Sequence, residues 1–219
     1  PGGGSVSSAL ADIDGDGDLD LYTTGFRQEF IDVQLTPQVS FALKDTGMQA
    51  LISGRRAPPD FFKFFTPQTL PGGSYGNPIM NGMPDVLYLN EISEGRARFR
   101  PVADKDLRFL NYDGRPMGMR PAWSHEAAFR DVDGDGDPDL YVCNDFTWQD
   151  DFWLNDGRGR FRRAPIFAMR RQSWFSMGVD FGDINRDGHV DFMTVDMLSR
   201  SHTRRKTQMG MMQSQNNSG

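Results

Sequence analysis

The chain has 219 residues, of which 37% are hydrophobic and 12% aromatic, with 24 glycines, an ordinary apolar share for a globular domain. It holds 30 acidic against 24 basic residues for a formal charge of −6, and no apolar run approaches the roughly 20 residues of a membrane-spanning helix. Cys143 is the one cysteine, which excludes an internal disulfide.

The first predicted element is a short strand at Ala9-Leu10-Ala11, which runs into Asp12-Ile-Asp14-Gly-Asp16-Gly17-Asp18-Leu-Asp20. So many carboxylates in one loop repel one another unless a cation neutralises them. Oxygen-bearing side chains at loop positions 1, 3 and 5 converge on a hard cation when the backbone wraps tightly, and glycine at position 6 permits that turn. Calcium takes about six to eight oxygens, so the Asp18 carbonyl and the Asp20 carboxylate complete the shell with water. Magnesium demands near-octahedral geometry and keeps its waters, so it suits such a cage less well. An EF-hand needs a bidentate glutamate at position 12 and flanking helices; here position 12 is Thr23, within the strand-like run Leu21-Tyr-Thr-Thr24. The loop therefore joins two strands.

Residues 27–84 show little period and contain Arg55-Arg-Ala-Pro-Pro59, Phe61-Phe-Lys-Phe-Phe65 and Pro71-Gly-Gly73. Strand signals resume at Asp85-Val-Leu-Tyr-Leu-Asn90 and at Gly95-Arg-Ala-Arg-Phe99. These supply the outer strands that the first loop lacks. Residues 1–103 are thus expected to form one four-stranded unit, with 27–84 an irregular excursion packed as a lid; a degenerate repeat in that interval is the alternative.

Residues 104–170 form the second expected unit. Ala128-Phe129-Arg130 leads into the loop Asp131-Val-Asp133-Gly-Asp135-Gly136-Asp137-Pro-Asp139 and the strand Leu140-Tyr-Val-Cys143. Asp151 to Phe161 then reads as a hairpin, because Asn-Asp-Gly between apolar alternations is a strong turn signal. Residues 171–198 supply the first half of a third unit, with the loop Asp183-Ile-Asn185-Arg-Asp187-Gly188-His189-Val-Asp191 before Phe192-Met-Thr-Val195. His189 can stand at position 7 because only its backbone carbonyl is used. Ser5, Ser124 and Ser176 each precede a loop by seven residues and are expected to bond to a neighbouring unit. Residues 199–219, including Arg204-Arg205-Lys206, read as a solvated tail leading into further sequence.

The small residues before each loop, the Asp-x-Asp-Gly-Asp-Gly-Asp-x-Asp pattern, Leu-Tyr, Leu-x-Leu-Asn and Gly-x-Gly-x-Phe together resemble the FG-GAP or VCBS repeat of integrin alpha propellers and exported bacterial proteins. Trp123-Ser-His125, Asn144-Asp-Phe146 and the run from Ser176 to Asp183 are most similar to the bacterial type related to the ASPIC/UnbV and cartilage acidic protein families. The resemblance implies an all-β partial propeller of four-stranded antiparallel blades with calcium loops between strands one and two. It implies further blades as partners, and about three structural Ca²⁺ ions. Their ligands are Asp12, Asp14, Asp16, Asp18 and Asp20; Asp131, Asp133, Asp135, Asp137 and Asp139; and Asp183, Asn185, Asp187, His189 and Asp191.

The function so implied is an extracellular binding or adhesion scaffold, secreted, periplasmic or at the cell surface, with a protein or carbohydrate ligand and no catalytic residues. A second reading makes the chain part of a carbohydrate-active enzyme, with His125 the plausible base. Neither nucleic acid nor membrane insertion is expected. The three loops hold 13 of the 30 carboxylates, so three calcium ions would bring the formal charge from −6 to zero.

Overall fold

The computed structural model describes residues 3–25, 27–28, 39–44, 47–52, 55–56, 65–66, 79–80, 82–103, 107–145, 148–169, 172–173, 175–197, 201 and 203. In chain order the strands are β1 (Gly3–Gly4), β2 (Ser8–Ala11), β3 (Asp20–Thr23), β4 (Arg27–Gln28), β5 (Val39–Lys44), β6 (Gly47–Ile52), β7 (Arg55–Arg56), β8 (Phe65–Thr66) and β9 (Ile79–Met80). They continue with β10 (Val86–Asn90), β11 (Phe99–Pro101), β12 (Phe109–Leu110), β13 (Trp123–Arg130), β14 (Asp139–Asp145), β15 (Asp151–Asn155), β16 (Phe161–Arg163), β17 (Ser176–Gly182) and β18 (Asp191–Asp196). Among the described residues the fold is all-β with almost no helix. Two compact units divide it, Pro1–Gln28 with Gly82–Met197, and Glu29–Asn81 with Leu198–Gly219.

In the smaller unit β5, β6 and β7 form an antiparallel sheet, and β8 pairs with β9. This is more regular than the irregular reading of 27–84. Val39-Ser-Phe-Ala-Leu-Lys44 alternates in the strand period, a signal the aromatic clusters farther along obscured. The aromatic and Pro-Gly stretches at 57–64 and 67–78, and the tail from 204, lie outside the described residues.

Besides the short β1-β4 pair, the larger unit holds three sheets in a row. The first has the order β11-β10-β3-β2, so the strands flanking residues 27–84 pair directly, Val86 with Thr23 and Tyr88 with Leu21. The second has the order β12-β16-β15-β14-β13, and the third is the β17-β18 pair. Strand β13 neighbours β2 on one side and β17 on the other.

The second sheet thus has one strand more than the expected four. Its extra strand, β12, pairs parallel with β16, Phe109 opposite Phe161. The cause is aromatic packing: Phe109 stacks on Phe161 with ring centroids 5.3 Å apart and meets Trp153 edge-on at 5.1 Å. A two-residue strand gains little from its ladder alone, whereas a buried aromatic pair adds about 0.5 to 1.5 kcal/mol beyond its area.

Strand β14 shows how the row is held. Leu140 and Val142 join the core shared with the first sheet, beside Tyr22, Leu87 and Leu89. Tyr141 and Cys143 point the other way, into the cluster with Phe152, Val179 and Phe192. Both faces of a period-2 strand are therefore buried, which is why Leu-Tyr-Val-Cys carries no polar alternation. The third sheet buries one face only, with Phe192 on Tyr141 at 5.2 Å, while Met193 and Val195 are exposed.

Candidate metal loops and the joints beside them

Each acidic loop closes a hairpin between the first and second strands of its sheet: β2 to β3, β13 to β14, β17 to β18. The first two loops are wound identically. Asp12 accepts the Gly15 and Gly17 N–H groups at 2.8 and 3.0 Å, and Asp131 accepts those of Gly134 and Gly136 at the same distances. These bonds need left-handed backbone twice per loop, at Gly15 and Gly17 with φ of 74° and 93°, and at Gly134 and Gly136 with 81° and 97°. The sequence reading recognised the second glycine of each pair and passed over the first.

In the third loop Arg186 occupies that first left-handed position, with φ of 63°, followed by Gly188 at 86°. An L side chain there costs roughly 1 to 2 kcal/mol. Replacing Arg186 with glycine relieves it, partly offset by a looser unfolded chain. Urea unfolding is expected to show Arg186→Gly more stable by about 0.5 to 1 kcal/mol, and a loss of stability would contradict the left-handed assignment.

The carboxylates divide into two kinds. Asp12, Asp14 and Asp16 each bring an oxygen within 4.8 Å of the others, as do Asp131, Asp133 and Asp139. Asp14 Oδ1 and Asp18 Oδ1 are shielded from solvent and have no hydrogen-bond partner. Burial, then the neighbouring Asp16 carboxylate, pushes the Asp14 pKa up; burial, with the Asp135 and Asp131 charges, does the same to Asp133. Oxygens of Asp14 and Asp18 shielded from solvent without donors, and protons held more tightly than usual at Asp14 and Asp133, are features that a divalent cation relieves.

The residues at position 9 do something further, Asp139 in addition to its place in the second cluster. Asp20 accepts the N–H groups of Ile13 at 3.3 Å and Asn90 at 2.8 Å; Asp139 accepts those of Val132 at 3.0 Å and Asn155 at 2.9 Å. Both are buried and tie the loop to the third strand of their own sheet. Burial raises the Asp139 pKa to about 6. Asp191 makes the loop half of this latch, accepting Ile184 N–H at 3.0 Å.

Position 5 is used locally: Asp16 and Asp135 each accept the N–H of the residue two on, Asp18 and Asp137, at 3.0 Å. The third loop closes upon itself. Asn185 donates to Asp187 at 2.9 Å, Asp183 accepts the Asp187 and Gly188 N–H groups at 3.0 and 2.9 Å, and His189 N–H reaches Asp187 at 2.8 Å. Among the described residues it brings no three acidic side chains into mutual range. The position 7 residues carry no common side-chain role, with His189 exposed and Asp18 Oδ2 lying 3.4 Å from Ile92 N.

The expectation that Ser5, Ser124 and Ser176 bond to a neighbouring unit holds at Ser124, whose partner is Asp85 of the first sheet; sequence reasoning missed the aspartates at the joints between sheets. Before the third strand of the first sheet, Asp85 accepts Tyr22 OH and Gly25 N–H, each at 2.7 Å, and lies 3.0 Å from Ser124 Oγ of the second sheet. Before the third strand of the second sheet, Asp150 accepts Tyr141 OH at 2.7 Å and Asn144 N–H at 2.9 Å. Ser124 and Ser176 are fully buried at these joints. Ser5 departs from the expected alignment: it is exposed, lies before β2, and bonds to the Ser7 carbonyl at 2.9 Å. The signal for the joints was the recurrence of a tyrosine after the loop and an aspartate before the next strand.

Antiparallel sheets in a row, each opening on an acidic hairpin loop between its first two strands, define a β-repeat protein. Residues 131–194 match the model of the FG-GAP-like repeat, and the chain carries that repeat from the second loop through the third. No curated protein matches the chain.

Proposed function

We propose that the chain is a calcium-stabilised repeat scaffold that works outside the cell and presents a surface to a protein or carbohydrate ligand. The observation that carries this reading is the convergence of three carboxylates in each of the first two loops, with the partnerless Asp14 and Asp18 oxygens beside the first set. Asp12, Asp14 and Asp16, with the Asp18 carbonyl and Asp20, would hold one ion. Asp131, Asp133, Asp135 and Asp139, with the Asp137 carbonyl, would hold the second. A third, weaker site falls to Asp183, Asn185, Asp187, Asp191 and the His189 carbonyl, since Asn185 and Asp187 are already spent on each other.

The bound ion neutralises the loop, and the chain's own bonds transmit that to the sheets through Asp20 and Asp139. FG-GAP repeats are typical of extracellular proteins, and extracellular calcium modules work at dissociation constants of about 10⁻⁴ to 10⁻³ M. Among the described residues no helix is long and apolar enough to cross a membrane. Kinship with the bacterial exported type rests on Trp123-Ser-His125 and the run from Ser176 to Asp183. The exposed face of the third sheet is the place for a further blade.

The test is a titration of bound calcium per chain, paired with a binding panel of glycans and proteins run with calcium and with EDTA. Two ions bound ahead of a third, and a ligand lost in EDTA, are the expected results. A chain that binds no calcium at millimolar concentration would end this reading.

A further inference from the structure

Hydrogen atoms can be counted at the joint between the first two sheets. Asn144 fixes the count. Its Nδ2 donates to the Gln149 carbonyl at 2.9 Å and to Asp151 Oδ2 at 3.1 Å, both pure acceptors, so its Oδ1 must be the atom 2.9 Å from Ser124 Oγ. Ser124 Oγ also lies 3.0 Å from Asp85 Oδ2. The hydroxyl has one hydrogen and faces two oxygens. If Asp85 is ionised, one of these two buried contacts contains no hydrogen at all, and an oxygen pair with none is repulsive and costly away from water.

We propose that Asp85 carries a proton on Oδ2 in the folded molecule, and that the contact between the first and second sheets is therefore proton-dependent. With that proton every contact has one hydrogen. Tyr22 OH donates to Asp85 Oδ2, Asp85 donates to Ser124 Oγ, and Ser124 donates to Asn144 Oδ1. Gly25 N–H continues to donate to Asp85 Oδ1.

The surroundings agree. Asp85 is buried, and burial raises its pKa to about 6 against the pull of its Gly25, Tyr22 and Ser124 bonds. The charges facing this joint are Asp151 on β15, which pushes in the same direction, and the guanidinium groups of Arg120 and Arg163, which are taken up by Asp151 at 2.6 and 2.9 Å. Tyr22 on β3 stays neutral, its own pKa raised well above the usual value by burial and by Asp85. At the second joint Asp150 has the Tyr141 and Asn144 donors, and burial raises its pKa to about 6 against the pull of those bonds and of Ser176.

The sign follows from linkage. The unfolded carboxyl releases its proton near pH 4 and the folded one near 6, so stability is greatest below about pH 4, is lost as pH rises toward 6, and is level above. The experiment is urea unfolding of the full chain and of Asp85→Asn, both in EDTA, from pH 4 to 7.5. Other carboxylates titrate in both proteins and cancel in the comparison. Relative to the variant, the wild-type unfolding constant is expected to rise about tenfold per pH unit between roughly 4 and 6, about a hundredfold in all. A level ratio, or one that falls with pH, overturns the proposal. Should Asp85→Asn fail to fold, the Asp85 carboxyl carbon is titrated in the wild type by NMR: a midpoint near 6 sustains the proposal, and one near 4 overturns it.

Discussion

Asp133→Ala is expected to lower the melting temperature in saturating calcium by about 5 to 10 °C and to leave it unchanged or slightly raised in EDTA. A site held at 100 times its dissociation constant contributes about 2.7 kcal/mol, and in a chain of this size each kcal/mol moves the midpoint by about 2 to 4 °C. Without the ion Asp133 contributes little to stability. Its Oδ1 accepts one 3.3 Å bond from Asp135 N–H, and burial and neighbouring carboxylates disfavour its charge. Asp14→Ala should behave in the same way. Asp139→Ala is the contrast, because it removes the acceptor for Val132 and Asn155 N–H in a buried place. Each donor left unsatisfied costs roughly 1 to 3 kcal/mol, so this variant should lose stability in EDTA as well, with a further loss in calcium because Asp139 also belongs to the carboxylate cluster. If Asp133→Ala is equally harmful in both conditions, the loops are structural turns and the calcium reading fails.

The three loops and the Asn155-Asp-Gly157 turn were legible because their information is local. Backbone direction, side-chain oxygens and glycines all lie within nine residues, and spacing alone encodes the turn. The pairing of β10 with β3 across residues 27–84 was legible because Leu87-Tyr-Leu-Asn90 and Phe152-Trp-Leu-Asn155 look alike wherever they fall. What spacing could not give was register. The ladders of β13 and β17 slip between Ser124 and Glu126 and between Ser176 and Gly178, whereas β2 pairs regularly from Ser8 to Ala11. Counting back seven residues therefore reaches a buried strand position in two repeats and an exposed residue, Ser5, in the first. Strand β12 and the two aspartate joints were illegible for another reason. Phe109, Asp85 and Asp150 acquire their roles from partners on other strands and sheets, and no local period marks them.

The same loop position should give opposite results in two repeats. Ile13→Ala is expected to cost about 2 to 5 kcal/mol, the range for emptying a packed aliphatic site, while Ile184→Ala should stay within about 0.5 kcal/mol of the wild type. Both residues stand second in their loops, but Ile13 is fully buried and Ile184 is 70% exposed. Ile13 belongs to the core shared with Trp153 and Phe161, and its carbonyl accepts Asn155 Nδ2 and Gly159 N–H of the second sheet, each at 2.9 Å. Val132 repeats the arrangement against the cluster that includes Val179 and Phe181. Equal losses at Ile13 and Ile184 would refute this reading of the loop as a clamp on the following sheet. The clamp also links the metal to the joint, because Asp12 and Asp14 flank Ile13 in sequence and an ion that fixes their backbone fixes the peg between them. A double-mutant cycle of Asp14→Ala with Ile13→Ala should therefore be non-additive in calcium and additive in EDTA; additivity in both would mean that the ion stabilises its own loop and nothing beyond it.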